Sequence, residues 1–472
     1  MQRTEKNILI IGAGDAGRLL QQDIEANHRS YDILGFVDDK QRLGHANILG
    51  TVADCQKLAS RFTINEMIIA IPSADGAVVR NILLANRANR IPIRIVPRNQ
   101  RIIATSTVRY DEVVDVSAED FLGRPFVNTN VDRLKQFYKD KTIFVTGGAG
   151  SIGSEIVRQL LDLGVKKVIV YDNSEYLVFM LEQYLRESGQ RDRCDLVIGS
   201  ILNTDKLNRL FQKIRPDMVF HAAAYKHVHL MEDNIDESIH NNVIGTKRVI
   251  DVAAANAIPQ LTFISTDKVV NPTSVMGATK KLCEYYIHSL SDTAPKSTIV
   301  RFGNVINSNG SVLPLFERQI VLHKYVTVTH AKMERFFMSI REAAQLVIES
   351  TAAGSDNTIH VLNMGELINV YEVALCLIRS KNLVPDTDVE VRVTGLRKGE
   401  KLVEELYTSL EEQELTTTKD NRMYVLKKEA VCPFDIHKAI SQLEAGMQNH
   451  DEHHALRTTM KELFPSLKLP SH

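Results

Sequence analysis

The chain has 472 residues, 44% of them hydrophobic and 24% charged, with a formal net charge of −1. That length exceeds one ordinary core and predicts two or three domains, and the near-neutral balance offers no overall field for nucleic acid or an anionic membrane. Cys55, Cys194, Cys283, Cys376 and Cys432 are scattered with no C-x-x-C pair, which excludes a disulfide framework and a zinc ribbon and fits a reducing cytoplasm.

The opening MQRTEKNILIIGAG runs from a short apolar stretch straight into a glycine loop, unlike a signal peptide. No stretch approaches the ~18 consecutive apolar residues that cross a bilayer. Residues 7–11 predict a strand, Gly12-Ala13-Gly14-Asp15-Ala16-Gly17 a loop, 18–26 a helix, and 33–37 a second strand ending at Asp38. Strand patterns follow at 67–72 and 91–97, with a helix pattern around 78–89 between them. Residues 128–140 read as a connecting helix capped by Asn128, Thr129 or Asn130. The opening pattern then repeats. A strand at 142–145 leads into Thr146-Gly147-Gly148-Ala149-Gly150-Ser151-Ile152-Gly153, a helix at 154–163, and a strand at 167–171 ending at Asp172. Further β-branched strands (218–224, 261–266 and 297–305) alternate with a helix at 242–255. This is a βαβ unit used twice, and it predicts an α/β fold of two tandem Rossmann-like, doubly wound parallel sheets. The expected domains are 1–127, a linker helix 128–140, a catalytic domain 141–430 with a small substrate lobe from about 305, and a tail of polar helices over 431–472.

The second glycine loop carries the stronger signal. Glycines at 147, 150 and 153 let backbone N–H groups approach a pyrophosphate, and the helix N-terminus adds partial positive charge. Asp172 lies about 20 positions after the last glycine, where a carboxylate accepts ribose hydroxyls. It repels a 2′-phosphate, so NAD is favoured over NADP. The G-x-G-x-x-G of the first domain leaves two readings open: a nucleotide site, or a worn duplicate kept for assembly.

Thr266, Asp267 and Lys268 end a buried strand, where a doubly wound sheet holds its reacting groups. Asn271-Pro272 predicts a turn that lets all three reach one ligand. Thr266 can donate to a sugar hydroxyl. Asp267 can act as an acid in a poorly solvated site, and Lys268 as a base if burial and nearby cations lower its pKa. Side by side they suit loss of water across adjacent carbons, although a strand-end salt bridge has the same residues. His450 and His454 could share a helix face, but a polar surface near a chain end explains them and no metal site is expected.

The stretch STDKVVNPTSVMGATK (265–280) resembles the active-site strand and helix of extended short-chain dehydrogenases/reductases. Met276 occupies the position of the tyrosine in Tyr-x-x-x-Lys, ahead of Lys280, and methionine carries no proton. With VTGGAGSIGSE, FHAAAYKHVHLME, NNVIGTKRV, VRFGNVINSNGSVLPLF and TGLRKGEKLVEEL, the chain resembles the CapD-type polysaccharide biosynthesis proteins over roughly residues 5–430. These are nucleoside-diphosphate-sugar 4,6-dehydratases, typified by UDP-N-acetylglucosamine 4,6-dehydratase. The resemblance implies hydride removal from C4 of a UDP-sugar to NAD, water loss across C5–C6, and hydride return at C6. It casts Asp267 as the acid, Lys268 as the base at C5 and Thr266 as holder of the C4 oxygen. Met276 would line the nicotinamide pocket and Lys280 would bond the nicotinamide ribose. Cofactor contacts are expected at Gly147, Gly150, Ser151, Ile152, Gly153, Asp172, Asn173, Ser200, Ile201, Ala222, Ala223, Ala224, Lys226, Ser265 and Lys280. Substrate contacts are expected at Lys226, His227, Asn304, Arg335, Arg397 and Glu400. Methionine at the tyrosine position suggests a product with C5 retained.

Other readings are a C5-inverting dehydratase or 4-epimerase on the same scaffold, or a silent nucleotide-sensing assembly protein. A UDP-sugar is the expected partner, with no nucleic acid and no membrane span. Tandem Rossmann domains with a helix pair available for packing suggest a homo-oligomer. The expected location is the cytoplasm, as a soluble relative, or the soluble part, of a membrane-anchored enzyme.

Overall fold

The structure is a computed structural model that describes residues 6–40, 47–97, 107–123, 130–290, 295–354, 357–418, 420–426, 432–447 and 452–467. The described chain forms two compact units. One comprises residues 1–127, 310–333 and 368–395, and the other residues 128–309, 334–367 and 396–472.

The first unit holds a six-stranded sheet built from β1 (Lys6–Ile11), β2 (Tyr31–Val37), β3 (Ile48–Gly50), β4 (Glu66–Ile69), β5 (Ile93–Ile95) and β6 (Val114–Asp115), in the order β3-β2-β1-β4-β5-β6. All neighbours are parallel except β5 and β6. Ile8, Leu9, Ile10 and Ile11 are fully buried, as a parallel strand covered on both faces requires. The helix Asp15–Asn27 follows the first glycine loop. Asp38 at the end of β2 accepts the Ala13 N–H at 2.8 Å and the Lys40 N–H at 2.8 Å.

The lobe expected from about 305 is not one body. Helices Val312–His323 and Val370–Ser380, with paired strands Tyr325–Val328 and Glu390–Val393, belong to the first unit. Helix Val370–Ser380 packs on helix Gly76–Ala85. Its buried Arg379 donates to the Asn86 carbonyl at 2.9 Å and to Asn89 Oδ1 at 3.0 Å. A buried guanidinium is tolerated only where such acceptors converge, and nothing local in the sequence shows that convergence.

The second unit holds β7 (Thr142–Thr146), β8 (Lys167–Asp172), β9 (Cys194–Ile198), β10 (Met218–His221), β11 (Gln260–Ile264) and β12 (Lys296–Arg301). The order runs β9-β8-β7-β10-β11-β12 and continues to strand Thr358–Leu362, all parallel, then to antiparallel Met423–Leu426 and Thr416–Thr417. Strand order reverses between β7 and β10, which opens a crevice at their C-terminal ends. Several sequence-predicted strands are shorter than expected, β10 and β12 among them. β10 stops at His221 because 222–227 turns along the crevice, and β12 stops at Arg301, leaving Asn304–Val305 to pair with Phe337–Met338.

The linker helix forms over Val131–Tyr138, with Asn130 as its cap through the Arg133 N–H at 3.0 Å; Asn128 and Thr129 lie outside the described residues. The tail is more than polar surface. Ile436, Ile440, Leu443, Leu456 and Met460 recur at helical spacing on helices Ile436–Gly446 and Glu452–Leu463, and they join the same core as Tyr286 and Ile287. Helix Ile436–Gly446 packs on helix Val275–His288, which is buried on nearly every face, Lys281 and Glu284 included. The chain's own tail therefore covers part of this helix. His450 lies outside the described residues, and no candidate metal cluster occurs among the described ones.

Candidate active site

The loop after β7 turns at Gly147, with φ of +62°. A Cβ there would lie 2.6 Å from the Ala223 nitrogen, and a Cβ at Gly153 would lie 2.1 Å from the Gly147 oxygen. Only glycine fits either contact. Helix Ser151–Asp162 starts from Gly150 without a side-chain cap, so its first N–H groups are available to an anion. Asp172 closes β8 and braces this loop: Oδ2 accepts the Ala149 N–H at 3.0 Å, and Oδ1 accepts the Ser174 N–H at 2.9 Å. Each oxygen keeps a further acceptor site for a ribose hydroxyl. The arrangement repeats that of Asp38 in the first unit.

A cavity of about 540 Å³ opens over the loop, within the range of cofactor sites. Gly147, Gly150, Ser151, Ile152, Gly153, Ala222, Ala224, Lys226 and His227 all line it. Ala223 backs the glycine turn. Ser200 lies in a separate hollow with Asn203 and Arg248, its carbonyl accepting the Tyr171 hydroxyl at 2.8 Å. Ile201 is buried, and Asn173 follows Asp172 at the end of β8. The cradle therefore fits a dinucleotide: no side chain blocks the turn, the helix end is uncapped, and an acid stands at the ribose position.

Burial lowers the pKa of Lys226, whose Nζ donates to Ser308 Oγ at 3.3 Å. Burial, followed by the charge of Lys226, lowers that of His227. Asn242 fixes this loop. Its Oδ1 accepts the Tyr225 N–H at 2.8 Å, and its Nδ2 donates to the Tyr225 carbonyl at 3.0 Å and to Thr279 Oγ1 at 3.3 Å. Asn242 sits in a π-helical turn, Ile239–Ile244, a rare conformation that concentrates at functional sites. Sequence reasoning missed it; the doubled Asn241-Asn242 was the available signal.

Beyond β11 the chain enters a short turn, Asp267–Val269. The Thr266 hydroxyl donates to Asp267 Oδ1 at 2.9 Å, and Lys268 Nζ donates to the same oxygen at 2.9 Å and to Asn304 Oδ1 at 3.2 Å. Asp267 is buried, and its Oδ2 has no hydrogen-bond partner among the described residues. That oxygen faces Gly303, where an added Cβ would lie 3.1 Å away. The structure thus gathers Thr266, Asp267, Lys268 and Asn304 into one cluster.

The ionisation of Lys268 differs from expectation. Burial disfavours the ammonium, but the carboxylates of Asp267 and Glu404 outweigh it and hold the Lys268 pKa above the ordinary lysine value. Lys280, by contrast, is pushed down to about 8 by burial, with Nζ 3.8 Å from the centroid of the Phe263 ring. Met276 is buried on the same helix, which Ser274 caps through the Gly277 N–H at 3.2 Å.

Two expected contacts are spent elsewhere. The Ser265 hydroxyl donates inward to Glu284 Oε1 at 2.6 Å, because Glu284 and the fully buried Arg301 occupy the core beneath it. Arg335 is buried and donates to the carbonyls of Glu334 (2.7 Å), Leu402 (3.1 Å) and Lys401 (2.7 Å), so its guanidinium clamps a backbone segment instead of facing a diphosphate. Arg397 is exposed, and Glu400 accepts its N–H at 3.0 Å.

Residues 143–428 match the family described as polysaccharide biosynthesis protein, and residues 1–97 match a CoA-binding domain. The chain is 35% identical to the capsular polysaccharide biosynthesis protein CapD of Staphylococcus aureus, over 85% of this chain and 68% of that protein. It is 33% identical to the UDP-glucose 4-epimerase of Rickettsia conorii, over 61% of this chain and 82% of that protein. Among solved structures it resembles Pen from Bacillus thuringiensis, with a TM-score of 0.57 and 33% identity over 61% of this chain and 90% of that one. No helix among the described residues is long and apolar enough to cross a membrane.

Proposed function

Because the chain belongs to the polysaccharide biosynthesis protein family, we propose that it is an NAD-dependent nucleotide-sugar 4,6-dehydratase. Its substrate is UDP-N-acetylglucosamine and its product the 4-keto-6-deoxy sugar with C5 retained. The observation that carries this reading is the contact between the buried Asp267 and the partly buried Lys268, 2.9 Å apart, with one carboxylate oxygen of Asp267 left without a hydrogen-bond partner among the described residues. An acid and a base in contact suit proton removal from one carbon and proton delivery to oxygen on the next.

At rest the lysine is an ammonium. A base role requires its proton to cross the existing hydrogen bond to Asp267, which leaves a neutral amine beside a neutral acid. No net charge moves, and exclusion of water by a bound sugar favours the neutral pair over the ion pair. The amine then takes the C5 proton while Asp267 gives its own to the departing 6-hydroxyl, which restores the starting ion pair. Thr266 turns its hydroxyl toward the C4 oxygen, and Asn304 keeps Lys268 aimed.

The chemistry that bound NAD supplies is hydride acceptance and return. Gly147, Gly150 and Gly153 hold its pyrophosphate, Asp172 its adenine ribose and Lys280 its nicotinamide ribose. Met276 lines the pocket without proton chemistry. Lys226 and His227 meet the sugar. Arg397 meets the diphosphate, and Glu400 anchors the turn that presents it.

Incubation with UDP-N-acetylglucosamine and NAD in heavy water tests the assignment. The expected product is lighter by one water, with deuterium at C5. Asp267→Asn and Lys268→Ala are each expected to lose ~10²–10⁴-fold in turnover while still holding the cofactor. The likeness to a UDP-glucose 4-epimerase supports epimerisation as the second reading, and a product of unchanged mass without deuterium at C5 would establish it and overturn the first.

A further inference from the structure

Helix Glu175–Glu187, between β8 and β9, is apolar on two opposite faces. Val178, Leu181 and Leu185 join the core of the second unit. On the other face Tyr176, Phe179, Met180 and Tyr184 are 65%, 49%, 49% and 40% exposed. Their spacing of i, i+3, i+4 and i+8 draws one stripe along the helix. Ile198, also exposed, ends the edge strand β9 on the side that Cys194 and Leu196 turn to the same core, and it extends the patch to the sheet edge. Arg158 sits 4.2 Å from the centroid of the Tyr184 ring and holds that ring in place. A helix apolar on all sides belongs to an interior, yet among the described residues this stripe stays open to solvent.

We propose that the stripe is the contact with a second copy of this chain, across a two-fold axis at Met180. The spacing is symmetric about that residue, with Tyr176 and Tyr184 four positions to either side. An antiparallel pair of these helices sets Tyr176 of each copy on Tyr184 of the other and Met180 on its own image, the self-complementary pattern that a two-fold contact requires. The charged edge agrees. Glu175 and Arg186 lie along one side of the stripe, and the antiparallel pair brings Glu175 of each copy to Arg186 of the other. Arg186 can turn outward, because Glu182, which it meets at 2.9 Å, is also held by Arg191 at 3.1 Å. With a whole side chain of this size at ~200 Å², the five exposed residues offer about 500 Å² per copy, the apolar centre of an interface of ~800 Å² per partner. The acids Glu175, Glu182 and Glu187 disfavour an anionic membrane, whose surface helices carry Lys and Arg beside the apolar face.

Sedimentation velocity on the full chain tests the surface. The wild type is expected to assemble. Met180→Glu sets two carboxylates on the axis and should run with half as many subunits, the pair dissociating at a concentration ~100-fold higher or more. Glu175→Arg and Arg186→Glu should each weaken the pair about 10-fold, and the double swap E175R/R186E should recover most of that loss, which only the antiparallel register allows. Far-ultraviolet circular dichroism of each variant should match the wild type, because every substituted side chain is exposed. A monomeric wild type overturns the proposal. So does a folded M180E that keeps the wild-type subunit number, or a double swap that recovers nothing. A monomeric wild type that floats with phosphatidylglycerol vesicles, when M180E does not, overturns it in favour of a membrane surface.

Discussion

Substitution of Arg301 probes the ground on which the site stands. This fully buried guanidinium donates from Nε and Nη2 to the two oxygens of Glu284, at 2.8 and 2.7 Å, and from Nη1 to Glu411 at 2.8 Å. Burial acts to raise the Glu284 pKa, but the charges of Arg301 and Lys281 outweigh it and pull it down to about 2 from an ordinary 4.5. Arg301→Met keeps apolar volume and leaves two buried carboxylates without this guanidinium, with Lys281 3.5 Å from Glu284. Breaking such a pair costs ~3–5 kcal/mol. The linkage gives a sign as well as a size. In the wild type the depressed pKa contributes about 3 kcal/mol, present above pH 4.5 and lost as pH falls toward 2. In R301M the Glu284 pKa rises, so acidification relieves the variant while it weakens the wild type. The gap measured by denaturant unfolding with circular dichroism should therefore narrow by about 1 kcal/mol or more between pH 7 and pH 4. Adding Glu284→Leu to R301M should recover a large part of the loss, because one stranded charge disappears. A cost at pH 7 below about 1 kcal/mol, or a gap that widens in acid, would refute this account of the core.

Two further substitutions separate the cofactor cradle from the proton machinery. Gly147→Ala places a Cβ 2.6 Å from the Ala223 nitrogen at φ +62°, so the loop must move; dinucleotide affinity by fluorescence titration should drop at least ~10-fold, since a left-handed alanine alone costs ~1 kcal/mol. Gly303→Ala inserts a Cβ 3.0 Å from Phe336 Cβ and 3.1 Å from Asp267 Oδ2; kcat should fall ~10-fold or more with cofactor affinity retained, and an unchanged kcat would mean that the position of Asp267 does not limit turnover.

The residues that sequence determined are those whose role is set by neighbours along the chain. Gly147, Gly150 and Gly153 must bend one turn, the uncapped helix follows directly, and the acid Asp172 closes the next strand. Backbone conformation and strand–turn–helix succession are short-range, so the α/β fold and the cradle were legible. The triplet Thr266-Asp267-Lys268 was legible as a cluster for the same reason. Its charge state was not. Glu404, far along the chain, comes within 3.8 Å of Lys268, and the two carboxylates reverse the expected fall in the lysine pKa. Side-chain direction was equally hidden. Ser265 and Arg335 carry the right chemistry for ligand contacts, yet Glu284 and the 401–402 carbonyls claim them. The same holds for residues 310–333 and 368–395, which read as a lobe on the catalytic domain and belong to the other compact unit. Local geometry is written in consecutive residues. Ionisation and hydrogen-bond partnership depend on fields and distances through space, and only the folded chain brings those groups together.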